Sequence, residues 1–277
     1  MKIILSRKGF DSQYGGQPSP ILPDGTLLSF PIPSDDSVFY KDLDYNGLSY
    51  LDLIKSLNGR TSINQSSQCH LDPDISPSVT TRTQGWLAAF GQTGSSLTEL
   101  RKYDVTTGDL FLFFGWFRET EYYKGKLRYR PKASDLHVIF GYMQIGEIIE
   151  DITKIPDWLK FHPHANLEKY SDAWAKGLNA IFLPTDKLSF APNLNGSGTF
   201  NFNPSIILTK EGYSRSRWQF PVSMSGIPIS HNPNGWKKDY FQSAARGQEF
   251  ILDCNDAVLD WIMPMFDFTR LMRENDE

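Results

Sequence analysis

Residues 6–11 bring together several side chains that could do chemistry. Ser6, Arg7, Lys8 and Asp11 follow directly after a short apolar run at residues 3–5. An arginine offers a planar fork for phosphate or carboxylate, a lysine offers a point charge, and a carboxylate can accept a proton. We therefore predict that Ser6, Arg7 and Lys8 bind an anionic ligand and that Asp11 is catalytic. The alternative is an Arg7–Asp11 ion pair that only holds the loop.

A second polar segment contains His70, Asp72 and Asp74. Alternate residues of an extended segment point the same way, so these side chains could share one site. We predict that His70 and Asp72 are catalytic, with His70 as an acid–base group oriented by Asp72. A metal site and a purely structural turn at Asp72 remain alternatives. Because the H-x-D-x-D spacing matches no strong metal pattern, the sequence assigns no metal.

A third polar segment carries His162 and His164, separated by one proline. Such a pair binds a metal only if a further ligand joins it, and Asp172, His70 and His231 are the candidates in this chain. We predict a catalytic role for His162 and ligand contact for His164. A structural role for both histidines is the alternative.

Two further polar stretches lie towards the end of the chain. Arg246, Gln248 and Glu249 could read a base edge or a ribose through paired hydrogen bonds. The alternative is a helix end closed at Gly247, with Gln248 and Glu249 entering a strand. Arg215 and Arg217 alternate around a serine, which is typical of solvated surface, with anion contact as the alternative. We predict that Arg246 and Gln248 bind ligand.

The elements that position these residues are mainly strands. Residues 2–6, 108–118 and 136–149 are apolar or β-branched, and the last of these has glycines at its expected bends. Residues 50–57 have helical apolar spacing, and residues 256–270 predict a last helix kinked at a proline. The pattern predicts an α+β protein: a mixed, mostly antiparallel β-sheet or a barrel core with peripheral helices.

The composition limits the kind of protein. Of the 277 residues, 40% are hydrophobic and 22% charged, so a packed core is expected. There is no internal repeat or long linker, which predicts one continuous domain over residues 1–277. A net charge of −4 argues against a protein that coats nucleic acid, but a small nucleotide or a flipped base could still bind.

Cysteine usage and hydropathy bear on location. Cys69 and Cys254 lack C-x-x-C spacing. The default interpretation is that both are buried thiols of a protein in the reducing cytoplasm. The apolar run near the first residue is too short for a signal peptide, and no stretch approaches the ~20 apolar residues of a membrane span. We expect a cytoplasmic protein with no membrane partner.

The middle of the chain resembles a known kind of barrel. The segments GDLFLFFGWF and LHVIFGYMQIGEII are similar to the PUA-like barrels, which include the ASCH and EVE domains. The resemblance implies a small β-barrel that holds a nucleic-acid base or modified nucleotide. In such a pocket, Trp116, Tyr142 or Trp86 would stack on the base, and we predict Trp116 as the ligand-binding residue.

The order of motifs along almost the whole chain resembles one family. The segments ILSRKGFDS, GGQPSPILPDG, CHLDPD, GDLFLFFGWF, WLKFHPHA and ARGQEF look like the nucleotide modification associated domain, third type. This family of bacterial and phage proteins is grouped by its association with DNA base-modification genes. The resemblance implies that one site gathers residues from distant segments: Ser6, Arg7, Lys8, Asp11, His70, Asp72, His162 and His164, with Arg246 and Gln248 as further candidates.

These observations support three functions. The first is a hydrolase or transferase that processes a nucleotide or modified base in a composite site of Arg, Lys, Asp and His. The second is a non-catalytic reader that binds a modified base in an aromatic-lined, PUA-like pocket. The third is a structural partner of other base-modification enzymes. The sequence identifies no cofactor.

Overall fold

The computed structural model describes residues 1–244 and 247–267. The strands are β1 (Lys2–Arg7), β2 (Ser19–Ile21), β3 (Ile32–Ser34), β4 (Val38–Phe39), β5 (Asp44–Tyr45), β6 (Leu48–Ser49), β7 (Gln68–His70), β8 (Phe90–Thr93), β9 (Leu110–Tyr123), β10 (Lys126–Tyr129), β11 (Leu136–Ile149), β12 (Asn179–Pro184), β13 (Lys187–Leu188), β14 (Ala191–Asn195), β15 (Ser197–Thr199), β16 (Arg217–Trp218), β17 (Phe241–Gln242) and β18 (Glu249–Asp253).

The α-helices are α1 (Tyr50–Leu57), α2 (Gly94–Lys102), α3 (Leu167–Ala175) and α4 (Asp256–Ile262). Short 3-10 helices lie at Tyr40–Asp42, Ile152–Lys154, Asp157–Leu159, Pro163–Ala165, Pro204–Ile206, Val222–Met224 and Met263–Met265. In the part of the chain that the structure describes, no helix is long and apolar enough to cross a membrane.

The main sheet runs in the order β18-β1-β9-β11-β12-β8. Strand β1 pairs with β9 in parallel, and the other neighbours along this path are antiparallel. The central strand β9 is buried on both faces over Leu110–Phe114, which explains its continuous apolar sequence. The short β2 adds a second parallel pairing to β9. The α+β class and the mixed, mostly antiparallel sheet are confirmed.

The main sheet is curled into a half-barrel. A hydrogen bond of 2.6 Å joins the Gln92 side chain of β8 to the Glu249 side chain of β18, although these strands are at opposite ends of the sheet order. The Ser96 hydroxyl of α2 donates to the Gln248 side chain at the same place. Side chains therefore connect the two ends of the sheet, and the predicted site residues lie near this connection.

A second, smaller core supports the other half of the site. It packs α1 and the aromatic residues Phe10, Phe30 and Tyr40 beside the three-stranded sheet β3-β7-β4. Strand β7 ends at His70, so this small sheet fixes the position of one predicted catalytic residue.

The predicted elements agree with the structure where local pattern is strong. Helix α1 has the predicted bounds 50–57, and β11 has the predicted bounds 136–149. The last helix is shorter than predicted: α4 ends at Ile262, and Pro264 lies in a 3-10 helix. Proline removes a backbone N–H and clashes with the preceding turn, which explains the early end. The predicted bounds beyond residue 267 lie outside the described residues.

Candidate functional site

The buried carboxylate of Glu249 anchors the first part of the site. Its Oε1 accepts hydrogen bonds from the Ser6 hydroxyl at 3.0 Å and from the Gln92 amide at 2.6 Å, and it lies 3.4 Å from Lys8 Nζ. Lys8 also lies over the ring of Phe90 at 4.3 Å. Burial raises the pKa of Glu249, and Lys8, Ser6 and Gln92 oppose that shift. Ser6 and Lys8 are therefore held by a buried polar network.

Asp72 lies at the centre of the second part. Its Oδ1 accepts a hydrogen bond of 2.7 Å from the backbone N–H of Gly91 in β8. Its Oδ2 lies 3.9 Å from His70 Nε2 and 4.0 Å from His164 Nε2. On the Oδ1 side, His162 Nε2 is 3.3 Å away. One buried carboxylate is thus surrounded by three imidazoles from two distant segments.

His70 is oriented by a carboxylate that the sequence reasoning did not select. Its Nδ1 lies 2.6 Å from Asp36 Oδ2, whereas Asp72 is on the Nε2 side of the ring. Asp36 is itself buried and is held by Ser34 and Lys169. Burial opposes its ionisation, but His70, Ser34 and Lys169 lower the pKa of Asp36 below the ordinary value. Asp36 therefore holds His70 through Nδ1, and the predicted role of Asp72 beside His70 Nε2 stays a prediction.

His164 is fixed by Asn179 of β12. The Asn179 amide nitrogen donates to the His164 carbonyl at 2.9 Å, and its Oδ1 lies 2.7 Å from His164 Nδ1. Because the amide nitrogen is engaged in this way, Oδ1 must accept a proton carried on Nδ1. The lone pair of the neutral ring is then on Nε2, which faces Asp72. The ring of Tyr170 stacks on the imidazole of His164, with 4.9 Å between the ring centres.

The charge state of this cluster follows from burial and proximity. Burial lowers the pKa of His164 to about 3, although Asp72 opposes the shift. Burial also opposes ionisation of Asp72, but His162, His164 and His70 together lower the pKa of its carboxyl. At neutral pH Asp72 is therefore a carboxylate that faces the neutral imidazole of His164.

Gly91 is required by the close packing of His164 against β8. A Cβ atom at residue 91 would lie 2.2 Å from the imidazole carbons of His164. Gly91→Ala is expected to lower the free energy of unfolding by about 1–3 kcal/mol, because the ring would have to move. Chemical denaturation measures the change. Gly59→Ala, at an exposed position with open space, is the matched control, and equal midpoints for the two variants would contradict the packing argument.

Two cavities meet beside these residues. The first, which we call the histidine pocket, has a volume of about 370 Å³ and is lined by His70, Asp72, His164 and Lys8, among others. The second, which we call the tryptophan pocket, has a volume of about 670 Å³ and contains Trp116. Residues common to both walls are Arg7, Asp11 and Gln13.

The tryptophan pocket pairs an aromatic ring with a cation. The guanidinium of Arg215 lies 4.0 Å from the ring centre of Trp116, and the indole N–H donates to Asp135 at 2.8 Å. Burial lowers the pKa of Arg215, and the carboxylates of Asp135 and Asp11 oppose that shift. A planar base and an anionic group could both find partners here.

Comparison with known families decides the relationship of this chain. The family model described as nucleotide modification associated domain 3 matches residues 2–253. The chain belongs to this family. Neither the comparison with curated proteins nor the comparison with solved structures gave a match. The resemblance read from the order of motifs is therefore confirmed, and the family match spans both pockets.

In this member of the nucleotide modification associated domain 3 family, most residues predicted for the site lie together. Those that line the histidine pocket are Arg7, Lys8, Asp11, His70, Asp72, His164 and Gln248. Ser6 and His162 are buried and do not line it. Trp116 lies in the tryptophan pocket, and Arg246 lies outside the described residues.

Asp11 is occupied by its own loop. Its Oδ1 accepts the backbone N–H groups of Gln13 and Tyr14 at 2.7 and 2.6 Å, which is a typical turn-capping arrangement. The contacts indicate that Asp11 shapes the wall shared by the two pockets. Its predicted catalytic role stays a prediction.

Sequence reasoning missed two supporting residues. Asp36 and Asn179 each hold a predicted site residue, yet each is distant from it in sequence. Glu249 was considered as a group that reads a base edge, and the structure shows that its side chain accepts a hydrogen bond from Ser6. Asp36 and Asn179 have no local signal beyond being polar residues next to or at the start of a strand.

Proposed function

We propose that this protein is a hydrolase or transferase that processes a nucleotide or a modified base in DNA base modification. The observation that carries the proposal is the convergence of His70, Asp72 and His164 on one pocket whose wall also contains Arg7 and Lys8. Acid–base groups and anion-binding groups in one cleft are what group transfer on a nucleotide requires. The family membership supports the same context.

The two pockets suggest how a nucleotide would lie. The base would occupy the tryptophan pocket beside Trp116 and Arg215, and the phosphate would contact Arg7 at the shared wall. The reacting bond would then lie in the histidine pocket. His70 Nε2 faces this pocket and would move a proton, while Asp72 would hold the imidazoles in place.

Lys8 and His162 have more indirect roles in this proposal. Lys8 is paired with Glu249, so it would contribute charge to the pocket rather than chemistry. His162 lies behind Asp72, away from the lining of the histidine pocket, and would act as a positioning residue. We further propose that residues 1–277 work as one domain, in the cytoplasm, alongside other base-modification enzymes.

Turnover tests the enzyme proposal directly. Purified protein is incubated with a panel of unmodified and modified nucleotides, and product formation is measured by mass spectrometry. His70→Ala is expected to lower the rate at least about 100-fold, since a positioned acid–base group contributes about that much or more. His231→Ala removes an imidazole that lies outside the cluster and is the control. Equal loss in both variants would refute the assignment.

The reader function has its own support in the Trp116–Arg215 pair. Under either function, Trp116→Leu is expected to weaken nucleotide binding about 10-fold, because stacking on one base contributes about 1–3 kcal/mol. Trp86 provides a matched control, because it lines neither pocket although it lies 4.1 Å from a guanidinium and its indole N–H also donates to an aspartate. Calorimetric titration of both variants measures the difference. Affinity lost at Trp116 without any turnover by wild type would favour the reader.

A further inference from the structure

We infer that His70, Asp72 and His164 bind a divalent transition-metal ion, and that the ion faces the histidine pocket. One donor atom from each residue lies within 4.8 Å of the other two. The sequence assigned no metal, because the H-x-D-x-D spacing matches no strong metal pattern and spacing alone could not place His70 beside His164, which follows Asp72 by more than ninety residues. The inference stands on this geometry and does not depend on which reaction the protein performs. An Nε2 atom bound to an ion cannot move a proton, so in the metal-bound protein His70 would be a ligand and not the acid–base group.

The donor separations are close to those of a metal centre. Asp72 Oδ2 is 3.9 Å from His70 Nε2 and 4.0 Å from His164 Nε2. Ligands at about 2.1 Å from a tetrahedral ion lie about 3.4 Å apart. Each measured pair would need to close by only about half an ångström, which small side-chain rotations provide.

Each donor residue is held through its other polar atom. His70 Nδ1 lies against Asp36, His164 Nδ1 lies against Asn179, and Asp72 Oδ1 accepts the Gly91 N–H. Oxygen acceptors behind the ligating imidazoles are the usual second shell of protein metal sites, since they fix the tautomer with Nε2 free. Three ligands supported in this way are difficult to explain as packing alone.

The three donor atoms are available to a ligand. Within the described residues, Asp72 Oδ2 accepts no hydrogen bond, and the Nε2 atoms of His70 and His164 make none. The same three residues line the histidine pocket. An ion held there would keep open positions towards the pocket, as catalytic rather than structural metal sites do.

The donor set selects the class of ion. Two imidazoles and one carboxylate are typical of zinc or of non-haem iron(II), whereas magnesium and calcium prefer oxygen donors. His162 is not part of the donor set, because it lies on the Oδ1 side of Asp72. We therefore expect zinc, cobalt(II) and iron(II) to bind, and magnesium to bind much more weakly.

Metal titration of the full chain, without an affinity tag and after dialysis against a chelator, tests the inference. Zn²⁺ is expected to bind at one equivalent per chain by calorimetry, and Co²⁺ is expected to give visible absorption stronger than that of the aqueous ion. His70→Ala and Asp72→Asn should each weaken Zn²⁺ binding at least about 100-fold. Asp36→Asn, which removes the charge behind His70, should weaken it about 10- to 100-fold. His231→Ala should leave it unchanged.

A measurement on the wild-type protein protects the test against misfolded variants. The chain has five histidines, so nitrogen NMR of the imidazoles can follow each one during Zn²⁺ addition. The expected result is a ligation shift at Nε2 of His70 and His164 only. Shifts at His231 or His137, or no saturable binding, would overturn the inference. Zn²⁺ binding with no nucleotide turnover would refute the proposed enzyme but not the metal site, and nucleotide turnover by a chain that binds no Zn²⁺ would do the reverse.

Discussion

Replacing Lys8 with methionine is expected to lower the free energy of unfolding by about 3 kcal/mol at pH 7, the cost typical of breaking a buried ion pair. The side chain of Lys8 is 9% exposed and that of Glu249 is fully buried, and their charged atoms are 3.4 Å apart. Methionine keeps the length of the side chain and its packing over Phe90, so the lost free energy of unfolding measures the contribution of the Lys8 charge. Glu249 would be left as a buried carboxylate with two neutral donors.

The destabilisation should depend on pH in a defined direction. Burial already raises the pKa of Glu249 in the folded state, and removing Lys8 takes away an interaction that opposes this shift. Below the unfolded-state pKa of a glutamate the group is protonated in both states, so the loss of Lys8 costs least there. As the pH rises above the unfolded-state pKa, the unfolded chain ionises Glu249 freely. The folded variant must either ionise a buried carboxyl without Lys8 or keep its proton, so the loss of unfolding free energy grows.

Urea unfolding of wild type and Lys8→Met at a series of pH values from mildly acidic to neutral measures this effect. The double variant Lys8→Met with Glu249→Gln is the control, because it has no buried charge to compensate. We expect it to be more stable than Lys8→Met at pH 7 and to lose the pH dependence of the difference. A constant difference between wild type and Lys8→Met at all pH values would show that packing, not charge, is responsible.

The sequence predicts the elements that carry the site because their patterns are local. Helix α1 is specified by apolar residues at helical spacing and by Ser49, whose hydroxyl accepts the N–H of Asp52. Strand β11 is specified by a long apolar run. Strand β1 delivers Ser6 and Arg7 to its end, as predicted from a few apolar residues. These patterns span only a few residues, so they can be recognised in the sequence before the fold is known.

The supporting contacts of the site could not be predicted because they cross the fold. Asp36 and His70 are joined through the small sheet β3-β7-β4, and His164 meets Asn179 only because α3 returns the chain to β12. Glu249 reaches Ser6 across an antiparallel pairing between the first and last strands. No local spacing encodes such distances, so the sequence could place the predicted site residues in three polar segments but not the residues that orient them.

The sequence also could not predict that the site is divided into two pockets. The stacking residue Trp116 and the cluster around Asp72 were predicted for competing functions, an aromatic reader and an enzyme. In the structure they occupy neighbouring cavities that share Arg7 and Asp11. Base binding and chemistry can therefore belong to one ligand, which removes the need to choose between those residues.

Asp72→Asn is expected to abolish turnover, by about 1000-fold or more, while it leaves the protein folded. In the proposed function Asp72 holds the acid–base imidazoles, whose contribution is about 10²- to 10⁴-fold, and its carboxylate would also bind the inferred ion, which places the loss at the upper end of that range. In wild type the Gly91 N–H donates to Asp72 Oδ1 at 2.7 Å, and the side-chain oxygen of asparagine can still accept this hydrogen bond. Its amide can donate towards the Nε2 atoms of His70 and His164, which lie 3.9 and 4.0 Å from Oδ2.

Asp72→Ala separates the two roles of the same residue. This variant removes the acceptor of the Gly91 N–H as well as the charge, so it should lower the free energy of unfolding by about 1–3 kcal/mol relative to Asp72→Asn. Thermal unfolding of both variants, beside turnover and Zn²⁺ titration, compares them. If Asp72→Asn were as unstable as Asp72→Ala, its lost activity would carry no information about chemistry. If it were stable and still active, the carboxylate would be a structural acceptor, and the charge of Asp72 would have no part in the reaction.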